Sequence, residues 1–458
     1  MLETLAKRIH EQMPRYIETL ESLIRIPSIS FDNFDPNEVL RSADAVKKLF
    51  EKNGLQNVKF LTPPSGHSAV YAELRTKPGH PTILLYAHHD VQPTMREDLW
   101  DSPPFAPEIR DGRLYGRGAA DDKAGIVLHL AAVTQALALY GDKMPNVKFI
   151  IEGEEEAGSS GMETLLQNNK ELLQCDAVII ADLSNFARGT PSITTTLRGM
   201  SAISIVLKAV KTPLHSGSWS GPIPDPAQAL CKMIASLTDA EGHILISHFE
   251  DPTVPPTAEE LASYEALGMT EEKFREQAGV LPGVKLLASG CDILKSLWRR
   301  ASIVVTAMEA GSRTQAGNVL QNSAYARIGI RLAPGMDADV ATLQLIDALK
   351  KSCPFGLELS IFTEDGANPF TTDTSHPYFE KMKQAMTETY GTPAKYIGSG
   401  ASIPGAQLFR DTFGNIPILL TGLEDPACNA HSENESLALD DFEHGIAAEA
   451  AFFGSLVK

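Results

Sequence analysis

Short, continuously apolar runs alternate with segments of helical composition in this sequence, and this alternation limits the folds that it can adopt. Residues 82–87, 147–151 and 177–181 are such runs, and residues 123–140 and 162–172 between them have the composition of helices. Continuous apolar runs are typical of strands buried on both faces, and strand–helix alternation is typical of parallel βαβ units. We therefore predict an α/β fold whose mostly parallel sheet carries helices on both faces.

The pattern changes in the middle of the chain, which indicates a second domain. Residues 202–209 and 322–332 alternate apolar and polar side chains, as antiparallel strands with one open face do. A chain of 458 residues is also longer than a single hydrophobic core usually supports. We predict a discontinuous α/β domain over 1–190 and 370–458, interrupted by an inserted α+β domain over 191–369.

The composition argues against several classes of partner. The formal net charge is −18 and no run of Lys and Arg occurs, so we expect neither nucleic acid nor a membrane as a partner. The five cysteines form no CxxC pair, which argues against a disulfide framework and favours the reducing cytoplasm. Residues 2–26 have the pattern of an amphipathic helix rather than of a signal peptide, and no apolar run reaches the ~20 residues of a membrane span.

Histidines and carboxylates follow the predicted buried strands, at the point where each strand ends. In open parallel sheets, ligands bind beyond the carboxyl ends of the strands, often at the start of a helix. An acidic pair also stands where a glycine-rich turn enters the predicted helix 123–140. The residues in question are His88-His89-Asp90, Glu152, Glu154-Glu155-Glu156, Asp182, His431 and the pair Asp121-Asp122.

Each of these residues has an ordinary structural explanation when it is taken alone. Asp182 is of a type that forms turns or caps helices, and a run of three glutamates is usually a solvated face. Together, however, so many carboxylates in one crevice would repel one another unless cations neutralised them. Divalent metals of intermediate softness accept mixed imidazole and carboxylate ligands, so the whole set predicts a metal site.

Other catalytic motifs are incomplete in this sequence. The turn that begins at Gly116 resembles a dinucleotide-binding fingerprint, but Asp121 stands where the third glycine belongs. There is no P-loop and no GxSxG motif, and nothing near His215-Ser216 completes a nucleophilic triad.

Several motifs occur in the order typical of one known family. YAHHDVQP, YGRGAADDKAG, EGEEEAGS, ADLS and NAHSENE are joined by LRG, LHSG and IRLAPG in the middle of the chain. This series resembles the aminoacylase, carboxypeptidase G and carnosinase family of di-zinc peptidases over nearly the whole chain. The LHSG, LWRR and GASIP segments resemble most closely the cytosolic, carnosinase-like dipeptidase branch.

The resemblance implies two divalent metal ions per subunit, with zinc expected and manganese or cobalt as alternatives. His88 and Asp182 would bind the first metal, and Glu156 and His431 would bind the second. Asp121 would bridge the two.

The resemblance also implies the residues that act beside the metals. Asp90 would orient His88, and Glu155 would be the general base. The family often has a hydrophobic residue or glycine where His89 stands, so the ligand register is ambiguous, and we place the ligand at His88. The three consecutive glutamates, which begin at Glu154, pose a similar ambiguity, and the GxEExGS spacing sets their register.

The inserted domain would act as a lid and as a dimer interface. His215 would reach into the partner subunit's site and stabilise the oxyanion, and Arg331 would hold the terminal carboxylate of the substrate. Ser402 would lie near the same carboxylate. Asn318 stands where the carnosinase-like branch usually has a small hydroxyl residue, so its substrate pocket is expected to differ.

The resulting expectation is a cytoplasmic homodimeric exopeptidase. It would hydrolyse the amide bond of dipeptides or very short peptides with water activated by two metals and with Glu155 as the base. A deacylase of N-acyl amino acids with the same site is an alternative within enzymes. A catalytically dead, metal-binding scaffold is the alternative from another class.

Overall fold

The structure, a computed structural model, describes residues 2–314, 316–400 and 404–457. The chain divides into two compact units. Unit 1 comprises Met1–Thr195, Thr372–Ile397 and Ile403–Lys458, and unit 2 comprises Thr196–Thr371 and Gly398–Ser402.

Helices and strands are mixed throughout the described residues. The helices are α1 (Leu2–Ile24), α2 (Pro36–Lys52), α3 (Lys123–Tyr140), α4 (Met162–Asn168), α5 (Lys170–Leu173), α6 (Ser216–Trp219), α7 (Pro226–Ala235), α8 (Ala258–Ala266), α9 (Glu271–Ala278), α10 (Asp292–Arg299), α11 (Ala338–Ser352), α12 (Pro377–Tyr390), α13 (Pro404–Phe413) and α14 (Leu439–Ser455). The strands are β1 (Gln56–Leu61), β2 (Ala69–Leu74), β3 (Thr82–His88), β4 (Glu108–Arg110), β5 (Arg113–Tyr115), β6 (Asn146–Glu152), β7 (Ala177–Ile180), β8 (Ser192–Leu197), β9 (Gly199–Lys208), β10 (Leu214–His215), β11 (Ser302–Glu309), β12 (Val319–Leu320), β13 (Ser323–Leu332), β14 (Glu358–Thr363), β15 (Phe370–Thr371), β16 (Lys395–Ser399), β17 (Ile418–Leu420) and β18 (Ser436–Ala438).

The largest sheet has nine strands and confirms the predicted α/β class. Its order is β1-β2-β6-β3-β7-β17-β8-β15, with β16 pairing β8. The central strands β6, β3, β7 and β17 are parallel, whereas β1, β2 and β8 pair in the antiparallel sense. The sheet is therefore mixed, with a parallel centre and antiparallel flanks, and is not mostly parallel as the sequence predicted.

The parallel centre is buried on both faces, as the continuous apolar runs predict. Every residue from Ile83 to Ala87 in β3 is fully buried. Helix α3 packs against α1, α14 and β3, and most of its residues are buried. It begins at the cap Asp122, whose carboxylate accepts a hydrogen bond from the Gly125 backbone N–H at 3.2 Å. The burial of these elements places the carboxyl ends of the strands and the start of α3 in a rigid frame.

One helical stretch in the described residues, Lys123–Lys143, is long and apolar enough to cross a membrane. In this structure 67% of its apolar window is buried inside the protein. A core helix passes the same test of length and composition, so this observation is weak evidence for a membrane span.

Unit 2 contains a four-stranded antiparallel sheet in the order β11-β13-β9-β14. Side chains of β13 alternate between buried and half-buried positions, which is the pattern of a sheet with one covered face. Helices α7 and α11 pack against the sheet and share its core, where Ile205, Ile328 and Leu345 are fully buried. Strands β10 and β12 form a separate two-stranded ribbon.

The stretch between β10 and β11 contains a small polar cluster. Arg299 of α10 pairs with Glu260 of α8, and both side chains are buried. The ring of Tyr264 lies edge-on to that of Trp298, with 4.9 Å between the ring centroids. A capping box at Thr257 begins α8. These contacts hold α8 and α10 together.

We predict that Phe149→Ala destabilises the protein by about 3–5 kcal/mol, because it removes a fully buried ring from the centre of the sheet. The Phe149 ring packs against Phe50, with 4.9 Å between the ring centroids. Denaturant unfolding measures the loss. The matched control is Phe60→Ala on the edge strand β1, where the side chain is 42% exposed and the expected loss is roughly 1 kcal/mol at most. Equal losses in the two variants would show that the core is assigned wrongly.

Candidate metal centre

Three parallel strands end side by side and carry polar residues at their carboxyl ends. His88, the last residue of β3, pairs in register with Glu152, the last residue of β6. On the other side of β3, Tyr86 pairs with Ile180, the last residue of β7, and Asp182 follows two residues later. Because the strands are parallel and in register, the residues that follow them meet at one edge of the sheet.

The first group of possible ligands lies around His88. Its Nε2 atom is 3.0 Å from Asp121 Oδ1 and 3.4 Å from Asp182 Oδ1. All three side chains are at least nine-tenths buried. The three atoms are close enough to one another to coordinate one ion.

A second group lies on the other side of Asp121. His431 Nε2 is 2.9 Å from Asp121 Oδ2 and 3.2 Å from Glu156 Oε2. Asp121 therefore presents one carboxylate oxygen to each group, which is the arrangement of a ligand that bridges two ions. The five side chains predicted as ligands lie together in these two groups, and their role as ligands remains a prediction.

The two adjacent histidines point in different directions, and this difference bears on the ambiguous register. His88 faces the carboxylates, whereas His89 Nε2 lies 3.4 Å from the backbone oxygen of Ser68. Gly153 lies against the His89 ring, because a Cβ at that position would come within 2.8 Å of it. Burial lowers the pKa of His89 to about 4. His89 is therefore packed on the far side of the strand from the two ligand groups.

The Asp90 carboxylate connects His88 with the loop that carries the glutamates. His88 Nδ1 lies 3.0 Å from the backbone oxygen of Asp90, and since a carbonyl only accepts, Nδ1 carries the hydrogen. This tautomer leaves the Nε2 lone pair available for a metal. The Asp90 carboxylate accepts from the backbone N–H groups of Glu155 at 3.2 Å and Glu156 at 3.1 Å, and from Ser30 Oγ at 2.7 Å.

Gln92 and Ser30 support the site, although neither residue was predicted from the sequence. The backbone N–H of Gln92 donates to Glu156 at 3.0 Å, and its side-chain amide donates to the same carboxylate at 2.7 Å. Gln92 lies in the YAHHDVQP motif, where a polar side chain after a buried strand was a usable signal. Ser30 lies far from every motif, so only the fold reveals its contact with Asp90.

Crowding of carboxylates shifts the proton affinities of the site. Burial, together with the nearby Asp182, raises the pKa of Glu155 well above its usual value. Burial and the Asp121 carboxylate raise the pKa of Glu156 to about 7. Hydrogen bonding to Asp121 and Glu156 raises the pKa of His431 to about 11. Without cations, the cluster therefore holds protons that isolated groups of these types would have lost.

The donor set fits a pair of divalent metals. Each group combines an imidazole nitrogen with two carboxylate oxygens, a mixture that zinc, manganese and cobalt accept. Bound cations would replace the protons and remove the repulsion among the carboxylates. The residues of the site thus offer donor atoms that suit divalent metals, and their clustered negative charge favours the binding of cations.

His431 reaches the site from a loop between β17 and β18. Its backbone φ is +61°, and that of Asn429 is +54°. Residues other than glycine seldom adopt this left-handed conformation, and such residues concentrate at functional sites. About half of the His431 side chain is exposed, so the second group is open to solvent on this side.

Three of the remaining predicted residues, His215, Asn318 and Arg331, belong to unit 2. His215 is exposed in the β10–β12 ribbon, where it pairs with Val319, and Asn318 accepts a backbone hydrogen bond from Ser216 at 2.9 Å. Arg331 lies near the end of β13. Ser402 lies outside the described residues. The roles of these four residues in substrate binding remain predictions.

Comparison with known proteins agrees with this geometry. Residues 84–454 match peptidase family M20/M25/M40. The chain belongs to this peptidase family. The family match covers the strand-end motifs, the glycine-rich turn and the His431 loop, so all five candidate ligands lie inside it.

Relatives within the M20 family include several dipeptidases. The cysteinylglycine-S-conjugate dipeptidase of Corynebacterium striatum is 33% identical over 81% of this chain and 80% of its own length. Human carnosine dipeptidase 1 has a similar structure, with a TM-score of 0.83 and 28% identity over 100% of this chain and 98% of that one. The di-peptidase Dug1p of Saccharomyces cerevisiae gives a TM-score of 0.82 and 27% identity, again over 100% and 98%. The chain is thus similar to the carnosinase-like branch.

We predict that divalent metal raises the melting temperature of chelator-treated protein, because the cations bind the folded carboxylate cluster and not the unfolded chain. At a free metal concentration of 100 times Kd, the expected gain is about 2.7 kcal/mol per site. Asp121→Asn should lose most of this gain, because an NH₂ group replaces one of the two carboxylate oxygens that face the two ligand groups. The control Asp44→Asn, on the surface of α2, should keep the full gain. A metal-dependent gain that is the same in Asp121→Asn and the wild type would exclude Asp121 as a shared ligand.

Proposed function

We propose that this chain is a metal-dependent dipeptidase that hydrolyses the amide bond of dipeptides or very short peptides. The observation that carries this proposal is the pair of His–carboxylate groups that share Asp121, with Glu155 next to the ligand Glu156. The names of the relatives support the substrate class, because the Corynebacterium striatum protein, human carnosine dipeptidase 1 and Dug1p are all dipeptidases.

The proposed metal ligands follow from the two groups. His88 and Asp182 hold the first ion, Glu156 and His431 hold the second, and Asp121 holds both. We propose zinc as the metal, with manganese and cobalt as alternatives, because all three suit imidazole and carboxylate donors. When bound, such a pair supplies a Lewis acid and lowers the pKa of water.

Glu155 is the proposed general base. Its backbone N–H is held by Asp90, which also orients His88, so the base and a ligand share one anchor. Among the described residues no hydrogen bond occupies its carboxylate, whereas the neighbouring Glu154 accepts from Ser160 and from the His67 backbone. Glu155 is thus available to take the proton of the attacking water and to pass it to the leaving amine.

Unit 2 supplies the proposed substrate contacts and the proposed dimer interface. Arg331 would hold the terminal carboxylate with a bidentate guanidinium, with Ser402 nearby, and Asn318 would line the pocket. His215 would reach the partner subunit's site in a homodimer and stabilise the oxyanion. The family resemblance supports these roles, and the exposure of His215 on a short ribbon is compatible with a contact outside its own unit.

The proposed location is the cytoplasm. All five cysteines carry free thiols, which is typical of proteins kept in a reducing compartment. The strongly negative charge fits a protein that binds small substrates rather than polyanions.

We predict that Glu155→Gln lowers kcat by about 10²–10⁴-fold, because the glutamine amide cannot accept the proton of the attacking water. The variant should keep its metal content, because Glu155 is not one of the proposed metal ligands. Metal analysis and dipeptide hydrolysis measure the two effects on the same sample. The matched control is Glu163→Gln, a conservative change at an exposed position of α4. Rates like those of the wild type in Glu155→Gln would exclude Glu155 as the base. An inactive wild type with a full metal content would instead indicate a scaffold.

We predict that a free dipeptide is hydrolysed at least tenfold more efficiently than its N-acetylated form, as kcat/KM. The reason is that a dipeptidase site accepts the free amino terminus, whereas a deacylase site accepts the acyl group. A panel of dipeptides and their N-acetyl derivatives, assayed with and without chelator, makes the comparison. A clear preference for the acetylated series would replace the dipeptidase assignment with the deacylase.

A further inference from the structure

The glycine-rich turn before α3 wraps around the carboxylate of Glu435. Glu435 Oε1 accepts from the backbone N–H groups of Ala120 at 2.9 Å and Asp121 at 3.1 Å. Its Oε2 accepts from the backbone N–H of Gly118 at 3.0 Å and from Arg117 Nη1 at 2.7 Å. The side chain is fully buried. Each oxygen thus accepts two hydrogen bonds, which uses the whole capacity of a carboxylate.

Arg117 extends this contact to two more segments. Its Nη2 donates to the backbone oxygens of Pro93 at 3.2 Å and Ser432 at 3.0 Å. The guanidinium lies over the Trp100 ring, 5.4 Å from the centroid. The side chain is only 1% exposed, so these contacts are shielded from water. Arg117 and Glu435 together connect the segment after β3, the turn before α3 and the His431 loop.

The backbone of the turn requires glycine at position 118. Its φ is +84°, and a Cβ there would come within 2.7 Å of Val91. Successive backbone N–H groups that converge on one point form an anion-binding concavity, which in other proteins holds phosphate. Here the anion is a side chain of the same protein. This explains why a turn that resembles a dinucleotide fingerprint has no free capacity for a phosphate group.

Two connections make this carboxylate relevant to the metals. Glu435 is four residues after the candidate ligand His431 in the chain, and it accepts a hydrogen bond from the backbone N–H of the candidate bridging ligand Asp121. A displacement of Glu435 therefore acts on the backbone of Asp121 and on the segment that carries His431. The contacts of Asp121 with His88 and His431, at 3.0 Å and 2.9 Å, leave little room for such a displacement.

We propose that Glu435, held by Arg117, is a positioning residue that fixes the bridging Asp121 relative to His431 and thereby creates the shared position between two metals. This inference rests on the proposed function. Glu435 makes its described contacts with the protein and does not reach the ligand atoms itself. Its effect is therefore expected on metal binding and on the coupling of the two metals, and only through them on turnover.

The variant Glu435→Gln tests the proposal with almost no change of shape. A glutamine places an NH₂ group where one oxygen accepts two N–H donors, so donors face donors on one side of the turn. The matched control is Glu449→Gln on α14. Glu449 is also buried and also pairs with a basic side chain, His129 at 2.8 Å. Its carboxylate hydrogen bonds within the described part of the chain are to His129, on α3, and not to a segment that carries a candidate ligand.

The experiment titrates metal-free wild type, Glu435→Gln and Glu449→Gln with Mn²⁺ and follows both binding and the electron paramagnetic resonance spectrum. We predict that Glu435→Gln weakens at least one of the two Mn²⁺ affinities by about 10–100-fold and removes the exchange coupling between the ions. Glu449→Gln should keep both affinities and the coupling, even if its melting temperature falls. If Glu435 had a purely structural role, Glu435→Gln and Glu449→Gln would lose stability to a similar extent, and the electron paramagnetic resonance spectrum of bound Mn²⁺ would be unchanged.

The outcomes separate this inference from the proposed function. Two tightly bound, coupled Mn²⁺ ions in Glu435→Gln would overturn the inference and leave the dipeptidase proposal intact. Fewer than two ions in the wild type would overturn the proposed di-metal function and the inference with it. If Glu435→Gln does not fold, Arg117→Lys replaces it, since one ammonium cannot reproduce the three guanidinium hydrogen bonds. Coupling like that of the wild type in Arg117→Lys would overturn the inference.

Discussion

Mutual repulsion of buried carboxylates is the constraint on which the rest of the site depends. Two like charges 4 Å apart repel by about 4 kcal/mol at an effective dielectric constant of 20, and this cluster contains several such neighbours. Burial first, and then repulsion from neighbouring carboxylates, raise the pKa values of Glu155, Glu156 and Asp182. A marginally stable protein can hold such a cluster only if protons or cations neutralise it. The burial of these acids is therefore itself an argument for metals.

The sheet meets this constraint because its parallel centre is rigid and fully buried. The register of β3 with β6 and β7 fixes where His88, Glu156 and Asp182 begin their approach to one another. The ligands that do not follow these strands, Asp121 and His431, come from loops and need anchors of their own. Regular structure thus positions part of the site, and hydrogen bonds from other segments, such as that between Glu435 and the Asp121 backbone, hold the loop ligands.

The sequence predicts those parts of the fold that depend on local pattern. The strand β3 follows from its continuous apolar run, and the helix α3 follows from its composition. The positions of His88 and Asp182 follow from the strand ends, and that of Asp121 follows from the glycine-rich turn before α3. Helix α2 was missed, although Asp35 as its cap and Pro36 as its first residue were local signals. Glu435 could not be predicted, because a glutamate in a polar motif is usually exposed and its four donors lie more than 300 positions away.

The difference between local sequence pattern and contacts with distant parts of the chain also explains why the glycine-rich turn was ambiguous in the sequence. Its local chemistry, glycines followed by a helix, suits a phosphate as well as it suits a carboxylate. Only the folded chain shows that the Glu435 carboxylate occupies the turn. A phosphate could bind there only if it displaced this carboxylate, which would break the buried ion pair between Arg117 and Glu435. Removing one partner of a buried ion pair usually costs about 3–5 kcal/mol. The fold thus excludes nucleotide binding at this turn and uses its backbone to hold Asp121.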